Sequence, residues 1–354
     1  MMQCAIGELP VQRSQMLSEL PKFTTEVYEK RPRGWSAATK FNAGGTGFMH
    51  QFYLWMLVRA LQPKHIIESG AYNGLGTWQL RQAAPDAQII VISPATPHLY
   101  VDRHNDTRYF TDRYFRDFAS IDWSCIQGLD RARTVIFFDD HQSGYRRMLE
   151  AHARGFHHMM FDDNAPPPKS DHFSVKGACA ASHGKVNGLT KWDDFRGIKT
   201  SWYPWKHGQF NVTEHQLHRV GMSFSRVVDI YAEMPPLWLA NLKRPESPSP
   251  LMNNEDANAF IAVNKVQLRT LHADAIGYEG FPYVRTKSWE EAQPQSLYYP
   301  RHVTVNGYKG IQPKESTSCT GFGGGVPPVM LDPTSASNDW RRNFGAGVHV
   351  DLSK

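Results

Sequence analysis

Residues 65–76, HIIESGAYNGLG, place a glycine-rich turn directly after a short apolar segment. The apolar part has the length and composition of a buried strand, and residues 77–84 have the spacing of a helix that stops before Pro85. Glycine lets the backbone approach a ligand closely, and the following helix points its N-terminus at the same place. The segment therefore predicts a strand, a turn and a helix with a ligand site at the carboxyl end of the strand.

The same alternation continues on both sides of this segment. Further short apolar strands are predicted at residues 87–92, 108–110, 134–138, 158–161 and 225–232, and helical patterns lie between several of them. Short apolar strands that alternate with helices are typical of a parallel sheet covered on both faces. The predicted fold class is α/β, with a Rossmann-like, doubly wound and mostly parallel sheet.

The chain divides into three predicted regions. Residues 1–41 form an N-terminal leader with one short helical pattern, residues 42–240 form the α/β domain, and residues 241–354 form a partly irregular C-terminal extension rich in Gly, Pro and Tyr. Such an extension can cover a partner surface, so the sequence predicts an oligomer or a larger assembly held through it.

Composition narrows the range of partners. The chain has 354 residues, and 39 Lys+Arg against 34 Asp+Glu give a net charge of only +5, which does not require a nucleic-acid partner. No apolar run is long enough to predict a membrane span, and no secretory signal is recognisable. The sequence carries no clear targeting signal, so a cytoplasmic location is favoured and an organelle is the alternative. Four dispersed cysteines without a CxxC pair predict buried free thiols.

The glycine spacing indicates the kind of ligand. Gly70, Gly74 and Gly76 follow the pattern GxxxGxG, whereas dinucleotide folds use GxGxxG. This spacing favours a nucleoside without a pyrophosphate, S-adenosylmethionine above all. The alternative is a strand–helix connection that uses glycine only to turn tightly.

Acidic residues follow two of the predicted strands. Asp139, Asp140 and His141 come after the strand at 134–138, and residues 162–164, Asp-Asp-Asn, come after the strand at 158–161. Because the carboxyl ends of parallel strands gather at one edge, these oxygens can meet and hold Mg²⁺ or Ca²⁺. The alternative is ordinary helix capping and turn formation.

These motifs together resemble a known family. ESGAYNG, FFDDHQ and FDDN, within residues 42–168, resemble class I S-adenosylmethionine-dependent methyltransferases of the cation-dependent, catechol O-methyltransferase-like kind, together with the related cephalosporin-hydroxylase-like group. The resemblance implies that Glu68, Gly70, Tyr72 and Gly74 line the methionine part of the cofactor. It also implies a cation held by Asp140, Asp163 and Asn164, with His141 beside it, and a lid made by residues 44–47 and the helix that follows.

Two positions depart from the family pattern. Ser93 stands where an acidic residue usually accepts hydrogen bonds from the ribose hydroxyls, and a neutral hydroxyl is a weaker partner. Ser143 stands where the catechol-type enzymes carry a lysine base. His141, His172 and Lys169 are the alternatives for that base, and His141 and Ser143 are the predicted catalytic positions.

The combined expectation is a divalent-cation-assisted O-methyltransferase that acts on a small molecule or sugar with adjacent oxygens. Two alternatives stay open. One is a hydroxylase-like reaction on the same scaffold, and the other is a catalytically silent, methyltransferase-like subunit of a larger assembly, favoured by the two departures and the irregular C-terminal third.

Overall fold

The computed structural model describes residues 5–32, 46–162, 164, 173–184, 214–238, 249–264 and 280–292. Within them, seven strands form one sheet in the order β3-β2-β1-β4-β5-β7-β6. The strands are β1 (His65–Ser69), β2 (Gln88–Ile92), β3 (Thr107–Phe110), β4 (Thr134–Phe138), β5 (His158–Phe161), β6 (Val228–Glu233) and β7 (Pro282–Thr286).

The direction of the strands defines the fold. β1 to β5 are mutually parallel, whereas β7 runs antiparallel to both of its neighbours, β5 and β6. A mostly parallel sheet with one reversed strand inserted near its edge is the class I methyltransferase form of the Rossmann-like fold. The predicted fold class is confirmed.

β1 lies at the centre of the sheet because its side chains can be buried on both faces. Ile66 pairs with Ile89 on one side and with Val135 on the other, and Ile67 pairs with Ile90 and Ile136. All five residues of β1 are buried. A continuous apolar run is what a parallel strand covered by helices on both sides requires.

Helices cover both faces of the sheet. They are α1 (Arg13–Lys22), α2 (Phe48–Leu61), α3 (Leu75–Ala83), α4 (Gly144–His152), α5 (Val175–Ser182), α6 (Glu214–Val227), α7 (Asn254–Asn264) and the short α8 (Trp289–Ala292). One apolar core lies between the sheet and α1, α2 and α3, and a second lies between the sheet and α4, α5 and α6.

α2 is the most deeply buried helix of the first core. Residues 48–58 of this helix are all buried, in accordance with its nearly uninterrupted apolar sequence. The helix ends at Leu61 and is capped by Gln62, which takes the left-handed conformation (φ 44°) directly before Pro63. α2 therefore holds a fixed position above the sheet, and its first turn lies next to the carboxyl ends of the strands.

Several elements were not predicted. α5, α6 and β7 lie in sequence that carries few long apolar runs, and β7 begins with Pro282. β7 follows residue 240 in the chain yet lies inside the same sheet, and α1 of the leader region contributes Met16 and Leu20 to the first core. The three-region division itself stays a prediction, since residues 33–45 and 293–354 lie outside the described residues.

The cysteines differ from expectation. Cys125 and Cys179, the two that lie in the described residues, are both disulfide-bonded, so the prediction of free thiols is wrong for them. Sequence spacing alone does not show which chain segments the fold brings together. No described helix has both the length and the apolar character that a membrane crossing requires.

Candidate cofactor and active site

The turn after β1 packs directly against the end of β4. Gly70 has φ 103°, and its N–H donates to the carbonyl oxygen of Ile92 at 2.9 Å. A Cβ at this position would overlap the carbonyl oxygen of Asp139. Glycine is required here because both the left-handed backbone and the close approach exclude a side chain.

A second glycine fixes the start of α3. Gly74 caps this helix with φ 88°, and a Cβ there would overlap the carbonyl oxygen of Tyr100. The N–H of Tyr100 donates to the carbonyl oxygen of Asn73 at 3.1 Å. The segment after β2 therefore lies against the glycine turn and forms one side of it.

Tyr72 projects from the tip of the same turn. It has φ 41°, a conformation that costs energy for a bulky residue, and 54% of its surface is exposed. Its ring meets the ring of His98 edge-on, with centroids 6.5 Å apart. A bulky side chain that is exposed and held in a strained conformation at the end of a central strand makes this turn a candidate ligand site.

Glu68 lies buried beneath the turn. Its Oε2 accepts a hydrogen bond from the hydroxyl of Thr77, and its Oε1 has no hydrogen-bond partner among the described residues. A Cβ at Gly76, in the first turn of α3, would overlap Oε1. Burial raises the pKa of Glu68 to about 8, although the Thr77 hydroxyl acts in the opposite direction.

Ser93 lies directly after β2 and is only 4% exposed. Its backbone N–H donates to the carbonyl oxygen of Phe110 at 3.2 Å. A nearby carboxylate was missed by the sequence reasoning: Asp112, exposed and at φ 52°, accepts hydrogen bonds from the N–H (3.3 Å) and hydroxyl of Thr96. The sequence pattern that could have identified Asp112 is an aspartate two residues after the predicted strand at 108–110.

Asp140 is engaged in a buried network. Its Oδ2 accepts hydrogen bonds from the Ser69 hydroxyl at 2.7 Å and from Arg147 Nε at 2.9 Å, and its Oδ1 accepts one from the Gln142 N–H at 3.2 Å. Arg147 also forms a bidentate pair with Asp117, at 3.0 and 2.6 Å. The carboxylate of Asp140 is therefore held by the protein itself.

The charges of this network stabilise one another. Burial alone would lower the pKa of Arg147, but Asp117, Asp140 and Glu150 together raise it well above its ordinary value. Burial raises the pKa of Asp140, while Arg147 and Ser69 act against that rise. A permanent guanidinium thus supplies the positive charge beside Asp140.

Two of the three predicted cation ligands, Asp140 and Asn164, lie in the described part of the chain, and protein groups contact both of them. Asn164 Oδ1 accepts from the Lys176 N–H at 2.9 Å, and its Nδ2 donates to the Tyr231 hydroxyl at 3.0 Å. Asp140 is paired with Arg147, and Asp163 lies outside the described residues. In the described part of the chain, no group of three or more His, Cys, Asp or Glu side chains is arranged to hold a metal.

The two predicted catalytic positions lie at the start of α4. Ser143 is its N-cap: the hydroxyl accepts from the Arg146 N–H at 3.3 Å and donates to the Phe173 carbonyl oxygen at 3.4 Å. His141 is exposed and takes φ 53°. His172 and Lys169 lie outside the described residues. The geometry of Ser143 is that of a helix cap.

A histidine–aspartate pair lies at the same edge of the sheet and was missed by the sequence reasoning. His50, in the first turn of α2, contacts Oδ1 of Asp162 through Nδ1, and the two side chains are 9% and 7% exposed. The Thr46 hydroxyl donates to Asp139 Oδ2 at 3.4 Å, and the Asp139 side chain is one of the groups that lower the pKa of Asp162. Burial alone would raise the pKa of Asp162, but His50 lowers it below its ordinary value.

Comparison with known proteins gives structural matches alone. No protein-family model and no curated protein matches the chain. It is similar to the solved structures of the O-methyltransferase from Bacillus cereus in complex with SAH (13% identity, 77% of this chain and 90% of that chain, TM-score 0.36). It is also similar to the O-methyltransferase TomG from Streptomyces achromogenes in complex with SAM (10% identity, 80% and 92%, TM-score 0.37). At such values no ligand or activity transfers to this chain.

The residues around the glycine turn fit a nucleoside cofactor. The turn offers an exposed aromatic ring at Tyr72, an unsatisfied buried carboxyl oxygen at Glu68 and the N-terminus of α3. An exposed carboxylate at Asp112 and the His50–Asp162 pair lie at the ends of β3 and β5, along the same edge of the sheet. This edge can bind a ligand and hold or move a proton.

Proposed function

We propose that the protein is an S-adenosylmethionine-dependent O-methyltransferase that acts on a small molecule or sugar. The observation that carries the proposal is the turn from Gly70 to Gly76, where a strained and exposed Tyr72 stands above a buried Glu68 whose Oε1 lacks a partner in the described structure. When bound, the cofactor supplies a methyl group on a positively charged sulfur.

The chain's own residues position that cofactor. Glu68, Gly70, Tyr72 and Gly74 lie around the methionine part, as the resemblance implies. Since Ser93 is buried and neutral, we assign the ribose hydroxyls to Asp112, whose exposed carboxylate lies beside the segment after β2. A carboxylate accepts hydrogen bonds from hydroxyls more strongly than a serine does.

Methyl transfer is proposed without a step through a divalent cation. Asp140 and Asn164 are the predicted ligands in the described structure, and their side-chain atoms are used by Arg147, Ser69, Lys176 and Tyr231. Methyl transfer requires only that both reactants are held in line and that the acceptor loses its proton.

Calorimetric titration with S-adenosylmethionine tests the proposal. The wild type should bind with a measurable heat, and Tyr72→Ala should weaken binding by about 5- to 30-fold because one exposed aromatic contact is lost. Leu17→Ala, an exposed apolar residue on α1, is the matched control and should bind like the wild type. Absence of binding of both S-adenosylmethionine and S-adenosylhomocysteine to the wild type would overturn the proposal.

A silent subunit is the second candidate, because Ser93 offers neither charge nor exposure at the expected ribose position. The variant Asp112→Asn distinguishes the enzyme from the silent subunit. In an enzyme it should weaken S-adenosylmethionine binding by about tenfold, since a charge-assisted hydrogen bond is lost. In a silent subunit the wild type and the variant should both fail to bind.

A further inference from the structure

The segment between β2 and β3 is held in place by a buried ion pair, Arg81–Asp102. We propose that these two residues are positioning residues for the cofactor: without contacting the ligand, they fix Tyr100 against the glycine turn that holds the methyl donor. This inference rests on the proposed function and names the residues on which the shape of the cofactor site depends.

Arg81 connects four parts of the fold. It lies in the last turn of α3, and its Nε donates to Asp102 Oδ2 at 2.8 Å, with both side chains buried. Its Nη1 donates to the carbonyl oxygens of Pro85 and Ala87 at 2.6 and 2.8 Å, and its Nη2 donates to the Thr107 hydroxyl at 2.9 Å. Because the guanidinium is planar, permanently charged and rich in donors, it holds α3, the turn before β2, the segment after β2 and the start of β3 together.

Asp102 is fixed through both its side chain and its backbone. Besides the contact with Arg81, Oδ2 accepts a hydrogen bond from the Thr107 hydroxyl at 2.7 Å, and Oδ1 accepts one from the His104 N–H at 3.2 Å. The backbone N–H of Asp102 donates to the hydroxyl of Tyr109, in β3, at 2.7 Å. A buried carboxylate with several charge-assisted hydrogen bonds is held in one position, and this restrains the residues next to it in the chain.

Tyr100 links this restrained segment to the glycine turn. It lies two residues before Asp102, and its hydroxyl is 3.5 Å from Asp102 Oδ1. Its backbone N–H donates to the carbonyl oxygen of Asn73 at 3.1 Å, and its carbonyl oxygen is the atom that a Cβ at Gly74 would overlap. A shift of the backbone at Asp102 therefore changes the contact between Tyr100 and the turn.

Asp102 also lies close enough to Glu68 to affect its charge. Burial is the main cause of the raised pKa of Glu68, and the negative charge of Asp102 acts in the same direction. The glycine turn and the buried carboxyl beneath it thus both depend on Asp102. An ion pair that only stabilised the fold would raise the free energy of unfolding, but the affinity of the folded protein for the cofactor would not depend on it.

Calorimetric titration with S-adenosylmethionine, on variants whose folding is checked by circular dichroism, tests the inference. Asp102→Asn removes the charge that pairs with Arg81 and should weaken binding by about 10- to 30-fold. Tyr109→Phe is milder, since it removes only the hydroxyl that accepts from the Asp102 N–H, and it should weaken binding by about threefold. Tyr283→Phe is the matched control: it removes the hydroxyl of another buried tyrosine, 2.7 Å from His158 Nδ1 at the start of β5, and should bind like the wild type.

Hydrogen exchange of the unliganded protein gives a second readout, which does not depend on the cofactor. Asp102→Asn and Tyr109→Phe should each raise the exchange rate of the Tyr100 amide, the donor to Asn73, by about tenfold, and should leave that of the Ile136 amide in β4 unchanged. Wild-type affinity in both folded variants, or unchanged exchange at Tyr100, overturns the inference. Failure of the wild type to bind both S-adenosylmethionine and S-adenosylhomocysteine instead overturns the proposed function, and the inference falls with it.

Discussion

Two glycines with left-handed backbones allow the backbone strain of an alanine substitution to be measured separately from its steric overlap. A Cβ at Gly70 (φ 103°) would overlap the Asp139 carbonyl oxygen, whereas a Cβ at Gly128 (φ 77°) would have no described atom within 4 Å. Gly128→Ala should cost about 1 kcal/mol of unfolding free energy through strain alone, and Gly70→Ala clearly more. Urea denaturation measures both; equal losses would contradict the close packing of the turn against β4.

The ionisation of Glu68 makes the stability of the fold depend on pH. Its folded pKa of about 8 exceeds the ordinary 4.5, so the favourable protonated form dominates at low pH and stability is lost as pH rises from 4.5 through 8. The loss approaches about 5 kcal/mol at alkaline pH.

Glu68→Gln removes that ionisation. The variant should match the wild type near pH 5 and unfold at higher urea concentration near pH 9, whereas the exposed Glu255→Gln should follow the wild type at both values. A variant that loses as much stability as the wild type between pH 5 and pH 9 would show that Glu68 does not titrate in the fold.

Sequence reasoning located residues of the site better than it located their contacts. The glycine turn was predicted because glycine spacing and strand endings are local properties of the chain. The pairing of Asp140 with Arg147 and of His50 with Asp162 depends on distances across elements, which a single sequence does not contain. The cation prediction had the same weakness, since it did not foresee that Asp140 pairs with Arg147 and that Asn164 accepts a hydrogen bond from the Lys176 N–H.

At the scale of elements, Arg147 joins α4 to the end of β4 and to the turn that contains Asp117. Arg147→Met removes the guanidinium that Asp117, Asp140 and Glu150 share and should cost about 3–5 kcal/mol of unfolding free energy. Arg59 on α2 forms a surface ion pair of 4.0 Å with Glu19 on α1, and Arg59→Met should cost less than about 1 kcal/mol. Similar shifts in thermal midpoint for the two variants would contradict the buried network.

His152 makes the packing of α4 on α8 sensitive to acid. It is buried beside Trp289, and neither ring nitrogen has a hydrogen-bond partner in the described structure. Burial, aided by His157, lowers its pKa to about 4. Because the folded pKa lies below the ordinary 6.5, stability falls as pH drops from 6.5 through 4, by up to about 3 kcal/mol.

His152→Leu should remove this loss. Chemical denaturation at pH 7 and pH 4.5 should show a smaller decrease in unfolding free energy for the variant than for the wild type. His104→Leu, at an exposed position, should show the wild-type decrease. An unchanged acid sensitivity in His152→Leu would assign the effect to other groups.

The sequence predicts those helices and strands in which apolar side chains form a continuous run. β1, β2 and β4 are continuous apolar runs, and α2 is apolar almost throughout, so their sequences specify them directly. β7 is five residues long, begins with proline and is specified mainly by its two neighbouring strands. Tertiary context of this kind overrides local propensity.

At the scale of the whole molecule, the order of strands in space differs from their order in the chain. β7 lies between β5 and β6, whereas β3 lies at the edge with β2 as its neighbour. Hydrogen exchange followed by mass spectrometry should find the amides of β7 as protected as those of β5 and more protected than those of β3. Rapid exchange of β7 would contradict its position inside the sheet.

The absence of a side chain at Gly76 leaves the space that Glu68 Oε1 occupies. The two positions are thereby linked in evolution: a descendant that acquires even a methyl group at 76 must shorten or redirect the acid at 68. Homologous chains should accordingly vary at these positions together, and a lineage with alanine at 76 and an unchanged glutamate at 68 would reveal that the helix has moved.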